Sequence, residues 1–374
     1  MLYLFTLLPL FIASKAEGYD LPTPAGKYNI KLTSGPLVDY SRDGWKSMIS
    51  VFQPAHCKSV GTIPNMPNET AKILESYTKE YAGSFGNTTV DIDGLFQAAR
   101  LPVCVGDASS ITPVPDSPIL LLSPGHGGSR LWFNVLASAI ASEGFTVISM
   151  DHPGDCRVIE FPDGQLLEKS PLDGSLPPTD ELVYLRGNDT TFVIDQLSNA
   201  SAMAELGLST FQSDRIAILG HSLGGCTALQ VAAHDPRIVA AIDWAGPVVT
   251  DLPPSGIAQP VSFVSSENES NWTVDGMEVG WDLIHGPKLW TEIANLEHTG
   301  FLDMMNMLKA AGQDPAQFAE VLGTIDPDEQ NKIHVAYTTE WLKGAFQGKI
   351  GGSLLEGEQP ERFPEVRVVK KEGF

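Results

Sequence analysis

The residues Gly220-His221-Ser222-Leu223-Gly224-Gly225 carry the pattern Gly-x-Ser-x-Gly. By itself the pattern says little, because runs of small residues are common. Here it follows directly on Ile216-Ala217-Ile218-Leu219, an apolar run with the length of a buried strand, and it opens a helical pattern from Ser222 to Ala233. A sharp bend from strand to helix needs residues without bulk on either side of the serine. It lifts the hydroxyl out of a sheet to face a histidine, which is how an unactivated alcohol becomes a nucleophile. The plain alternative is a glycine-rich turn with an N-cap serine; the strand before and the helix after favour the nucleophile.

An attacked carbonyl develops negative charge on its oxygen, and donors must meet it. Ser123-Pro124-Gly125-His126-Gly127-Gly128 follows the apolar run Ile119-Leu120-Leu121-Leu122. Its glycines let backbone N–H groups come close to a substrate oxygen. The expected donors are the N–H groups of His126 and of Leu223, the residue after the nucleophile. The base should lie downstream, in the order serine, acid, histidine. His234 is too near the serine in sequence, and His334 falls inside a helical pattern. His285 precedes Gly286-Pro287, ahead of the final strand pattern. His298 follows the strand pattern Leu289 to Ile293 and is the expected base. For the acid, two places compete: Asp243, at the end of Val239 to Ile242, and Glu267 or Glu269, after Val261 to Val264. Asp243 sits in an apolar neighbourhood, where a carboxylate is costly without a partner. Glu267 and Glu269 lie beside the sequons at Asn268 and Asn271, which call for an exposed loop.

These residues need a frame. From Pro118 onward, short apolar runs alternate with helical periodicity. Strands are expected near 119–122, 145–150, 216–219, 239–242, 261–264 and 289–293. Helices are expected near 131–142, 181–206, 222–233, 302–311, 315–321 and 328–346. That rhythm gives an α/β fold with a mostly parallel, doubly covered central sheet. Upstream, Ser47 to Pro54 reads as a strand and Glu69 to Tyr81 as a helix. Residues 17–35 look like an extended leader, and residues 351–374 like a polar tail. The expected organisation is a signal peptide at 1–16, one catalytic domain at 17–350, and that tail.

Residues 2–13 form an apolar run too short for a bilayer, and small residues at Ser14 and Ala16 suit cleavage. Six sequons, at Asn68, Asn87, Asn188, Asn199, Asn268 and Asn271, agree with a secreted glycoprotein. The four cysteines then suggest two disulfides, with Cys57 pairing with Cys104 around a segment of weak apolar periodicity. No cysteine or histidine spacing fits a metal site, and neither metal nor cofactor is expected. Apolar residues make up 43% of the chain and charged residues 19%, so a sizeable core is expected. The formal charge of −22 opposes binding to nucleic acid or to anionic membrane surfaces, and serves solubility. A lipid-docking patch around Trp281 and Trp290 was weighed against core packing, and core packing is favoured. No protein partner is expected.

Several stretches together resemble the platelet-activating-factor acetylhydrolases of the plasma and intracellular type-II kind, and related microbial lipases, which are α/β-hydrolases. These are LLLSPGHGGSR at 120–130, EGFTVISMDHPG at 143–154, LVYLR at 182–186, DRIAILGHSLGG at 214–225, VAAIDWAGP at 239–247, VSFVSSE at 261–267 and IANLEHTGFLDM at 293–304. The resemblance runs from about residue 47 to 348. It implies Ser222 as nucleophile, Asp243 as acid, His298 as base, and His126 and Leu223 as oxyanion donors, without a metal. It thereby selects Asp243 over the glutamates. It also implies an ester substrate of small-molecule or lipid type, with an acetyl group at the sn-2 position of a 1-alkyl phospholipid. Pro124 stands where the family usually has a histidine. A general short-chain carboxylesterase or a cutinase-like polyester hydrolase is the alternative, and a catalytically dead binding module a third reading.

Overall fold

The computed structural model describes residues 18–83, 91–169, 179–250 and 252–374. The signal-like segment and Asn87 lie outside them. Nine strands run across the main sheet: β1 (Asn29–Asp39), β2 (Trp45–Cys57), β3 (Ile119–Ser123), β4 (Thr146–Met150), β5 (Ile216–His221), β6 (Ile238–Trp244), β7 (Val261–Ser266), β8 (Lys288–Ile293) and β9 (Val366–Glu372). Their order is β9-β8-β7-β6-β5-β3-β4-β2-β1, and a short strand, Ile111–Pro113, pairs with the end of β2. Strands β3 to β8 are parallel to one another, while β1, β2 and β9 make antiparallel pairs at the flanks.

The period of two in the strands sorts their side chains into two cores. Leu120 and Leu122 of β3 and Ala217 and Leu219 of β5 face one layer, which contains α2 (Asn134–Ser142) and α6 (Pro327–Gln347). Ile119, Leu121, Ile216 and Ile218 face the other, which contains α3 (Thr179–Leu197), α4 (Leu223–His234) and α5 (Asn271–Leu283). Both faces of the parallel strands are therefore buried, which is why those strands read as continuous apolar runs. Trp281 and Trp290 pack around Phe263 in the second core, so no docking patch forms from them.

The described residues of 57–104 form a separate unit beside the main sheet's strands. It contains the strands Val60–Pro64 and Ala99–Cys104 and the helix α1 (Asn68–Gly83), and a Cys57–Cys104 disulfide closes it at its base. That pairing is the expected one. A second disulfide does not form: Cys156 and Cys226 are free and buried, Cys156 donating to the Val158 carbonyl and Cys226 lying in α4.

Three sequence expectations fail at the edges. The leader at 17–35 overlaps β1, whose eleven residues pair with β2 along their whole length. Its Gly35 and Pro36 read as loop residues, yet β1 is an edge strand, where proline is tolerated. The polar tail supplies β9, antiparallel to β8. Its charged residues Arg367, Lys370, Lys371 and Glu372 suit an exposed edge, and the Lys370 ammonium lies over the rings of Trp281 and Trp290. The helix expected over 181–206 ends at Leu197, and Asn199 caps a new short helix, Ala200–Glu205.

Candidate active site

Ser222 sits at the end of β5 with φ 55° and ψ −126°, a backbone conformation costly for a side chain-bearing residue. The glycines around it are required by contact. A Cβ on Gly220 would lie 1.8 Å from the Gly224 carbonyl oxygen, and one on Gly224 would lie 2.1 Å from that of Ser123. The Ser222 N–H donates to the Trp244 carbonyl at 2.7 Å, tying the bend to β6.

His298 follows β8 in a short 3-10 turn, His298–Phe301. Its Nε2 is 3.0 Å from Ser222 Oγ. The residue is held at its backbone and at its ring. His221 Nε2 is 2.8 Å from the His298 carbonyl oxygen, and His298 Nδ1 is 2.9 Å from Glu269 Oε1. Burial, and then the nearby His298, push the His221 ring down to about 3, so it is neutral and donates from Nε2. His334 is a core residue, its ring stacked on those of Trp244 and Phe301, which also meet each other.

The carboxylate facing the histidine is Glu269, and this corrects the expectation of Asp243. Asp243 ends β6 fully buried, beneath the turn into α4. Its Oδ1 accepts from the Gly246 N–H at 2.8 Å, and a Cβ on Gly225 would lie 1.8 Å from that same oxygen. Its Oδ2 has no hydrogen-bond partner among the described residues. Burial pushes the Asp243 carboxyl well above the usual carboxylate range; the Gly246 N–H opposes this, and the charge of Glu269 adds to it. Asp243 caps a backbone turn, with burial holding its carboxyl up. Burial also acts upward on Glu269, but the bond and charge of His298, the Ser266 hydroxyl at 2.9 Å and the Ser270 N–H outweigh it and hold that carboxyl low. Glu267 is exposed and accepts from the Asn295 N–H.

The sequon argument failed because neighbouring side chains in this loop point opposite ways. Asn268 is exposed and donates to Glu297, while the side chain of Glu269 is only 3% exposed. The other described sequon residues, Asn68, Asn188, Asn199 and Asn271, are also exposed.

The loop 123–128 runs beside the serine. A Cβ on Gly125 would lie 3.2 Å from Ser222 Cβ. The N–H groups of His126 and Leu223 donate to no acceptor among the described residues. Together these elements bound a cavity of about 310 Å³ that reaches Ser222 and His298. Its walls include Tyr77 and Tyr81 from α1, with Trp132, Phe133, Met304 and Phe318 from the body.

The alpha/beta hydrolase fold family matches residues 118–263. Over 95% of its length the chain is 27% identical to a protein of Arthroderma benhamiae, covering 95% of it, named probable 1-alkyl-2-acetylglycerophosphocholine esterase. It is 23% identical to the platelet-activating factor acetylhydrolase of Cavia porcellus, over 67% of this chain and 63% of that one. Cutinase cut1 of Thermobifida fusca is 26% identical over 52% of this chain and 50% of its own. A solved ferulic acid esterase from Streptomyces cinnamoneus superposes with a TM-score of 0.74 at 23% identity, covering 94% of this chain and all of that one. The chain is a carboxylic ester hydrolase of the α/β-hydrolase fold.

In this hydrolase, sequence reasoning named Glu269 as a candidate but preferred Asp243, and it missed the polar groups behind the loop 123–128. Asp155, Arg186 and Asp189 are fully buried there. An arginine on the helix face that otherwise carries Leu182, Val183 and Val193 was the available signal, since a buried charge needs a partner.

Proposed function

We propose that the hydrolase cleaves a short-acyl ester through Ser222, His298 and Glu269, and that its substrate is a phospholipid of the 1-alkyl-2-acetylglycerophosphocholine kind. Ser222 Oγ attacks the acyl carbonyl as His298 Nε2 takes its proton. Glu269 orients the ring and balances the imidazolium. The N–H groups of His126 and Leu223 receive the oxyanion. The tetrahedral intermediate collapses with His298 returning the proton to the leaving alcohol, and water then releases the acid from Ser222 by the same steps.

One observation carries the reading: the unbroken line from Ser222 Oγ through His298 to Glu269, at 3.0 and 2.9 Å, opening on an apolar cavity. The lipid part draws on the similarity to a named esterase of that substrate over nearly the whole chain. It also draws on Arg157. That guanidinium stacks on Tyr77 of the cavity wall at 4.6 Å, and its Nη1 is buried with no hydrogen-bond partner among the described residues. Its Nη2 lies 3.9 Å from Glu80, and a guanidinium beside the cavity wall suits a phosphate diester. Exposed sequon residues and a disulfide support secretion as a glycoprotein.

The test compares 1-alkyl-2-acetylglycerophosphocholine with p-nitrophenyl acetate. Ser222→Ala is expected to lower kcat by about 10⁶ on both substrates. Arg157→Gln is expected to raise KM for the phospholipid and leave the aryl ester unchanged. Equal effects of Arg157→Gln on both substrates, or wild-type activity on the aryl ester alone, would favour a general short-chain esterase.

A further inference from the structure

Behind the loop 123–128 lies a network of buried charges with no place in the proton path. Arg186 of α3 is fully buried. One of its terminal nitrogens, Nη2, donates to the Pro124 carbonyl and, at 3.1 Å, to Ser123 Oγ. The other, Nη1, donates to the Gly125 carbonyl at 3.2 Å and pairs with Asp155. Asp155 Oδ1 in turn accepts the Gly127 N–H at 2.9 Å. The Ser123 hydroxyl donates to His152 Nε2 at 2.9 Å, and His152 Nδ1 donates to Asp189 at 3.2 Å. Arg42 and the Trp45 indole N–H complete the pairing of Asp189.

We infer that Arg186 is a positioning residue that aims the His126 N–H into the oxyanion site by holding the Gly125 carbonyl away from it. This rests on the reading of Ser222 as nucleophile and of that N–H as a donor. A trans peptide unit is planar, with its C=O and the following N–H on opposite sides. The chain has no cis peptide bond among the described residues. With the Gly125 oxygen pinned on Arg186, the His126 N–H of the same unit points the other way. The unit lies against the serine, because a Cβ on Gly125 would be 3.2 Å from both Ser222 Cβ and His221 Nδ1. Turned over, the same unit would present a carbonyl oxygen to the developing oxyanion and repel it. Within the loop the Gly128 N–H also holds the Gly125 oxygen, at 2.9 Å; glycines at 125, 127 and 128 leave that small turn free to swing as a unit, and Arg186 ties it to α3 through the Pro124 and Gly125 carbonyls. The guanidinium fork suits this, since its fixed geometry meets consecutive carbonyls as a point-like ammonium cannot. Stability alone is a poor reason to keep such a pair, because buried ion pairs are often replaceable by apolar residues without loss.

The test uses the full chain and a trifluoromethyl ketone that adds reversibly to the serine and places its oxyanion where the transition state does. Arg186→Lys is expected to lower kcat on p-nitrophenyl acetate by about 10²-fold, the scale of one lost oxyanion donor, with KM little changed. Affinity for the ketone should fall by the same factor as kcat/KM. Because a buried Asp155 left unpaired could unfold the protein, Arg186→Met is also made together with Asp155→Asn, which removes both charges. That double variant should melt near the wild type yet keep the kcat and ketone defects. A folded Arg186→Lys or double variant with wild-type kcat and ketone affinity overturns the inference while the nucleophile stands. A wild-type enzyme that the ketone does not inhibit, or a Ser222→Ala variant that still turns over, overturns both, and the two failures are told apart by which protein shows them.

Discussion

Asp243 and Glu269 lie at the carboxyl ends of neighbouring strands, β6 and β7, yet the fold gives them opposite work. Asp243 is sealed beneath the first turn of α4 with one backbone donor, and burial raises its carboxyl. Glu269 reaches from a surface loop, with its head buried against His298 and three donors around it. A carboxylate stays charged where donors converge on it and becomes neutral where burial is its main surrounding. An apolar sequence neighbourhood therefore marks a buried acid, and says nothing of which acid a histidine meets.

The largest break in this comparison is expected from Glu269→Gln. With an amide at 2.9 Å, His298 is held in the wrong tautomer, and kcat should fall by about 10⁴ in steady-state assays. Wild-type turnover in that variant, with Asp243→Asn inactive, would transfer the role to β6. Next in size is Glu269→Asp, which keeps the charge but withdraws it by about one methylene. A loss of about 10² is expected, since misplacement by roughly 1 Å can cost that much. Asp243→Asn should change kcat by no more than about tenfold, or about 1.4 kcal/mol. The amide has the same shape as the carboxyl, and its oxygen can still accept the Gly246 N–H.

The smallest effects are on stability against pH, followed by melting temperature. Glu269 is depressed in the fold, so its contribution is present above the ordinary carboxylate range and is lost as pH falls through its folded value. Asp243 is raised, so its effect runs the other way: stability is complete at acid pH and declines as pH rises toward the folded value. Glu269→Gln should therefore flatten the acid limb, and Asp243→Asn the decline that begins above the ordinary carboxylate range. Identical profiles for the two variants would mean that their surroundings do not differ as described.

What could be read in the sequence was what is local. Strand β5, the glycines and Ser222 are contiguous, and the bend they make is fixed by contacts among themselves. His298 was found from chain order and its place after β8. The helix α1 and the Cys57–Cys104 closure were likewise found. Glu269 was not, because its role depends on which way one side chain turns in the loop from Ser266 to Ser270. Strands β1 and β9 escaped because edge strands tolerate Pro36 and the lysines at 370 and 371, which a pattern search counts against a strand. The hold of Arg186 on Pro124 and Gly125 spans more than sixty positions; its partners only meet once α3 has packed beside β3.

Strand β9 also has a bearing on solubility that its place at the sheet margin makes plain. It covers the backbone of β8 from Lys288 to Ile293, and just past that register the Ala294 N–H donates to the Glu365 carbonyl, four residues before the base His298. Peeling it away would leave a row of unpaired amides able to recruit the same edge of another molecule. It would also loosen the anchor of the histidine turn. Loss of this strand should therefore appear as self-association together with lost turnover, from a segment that touches no substrate.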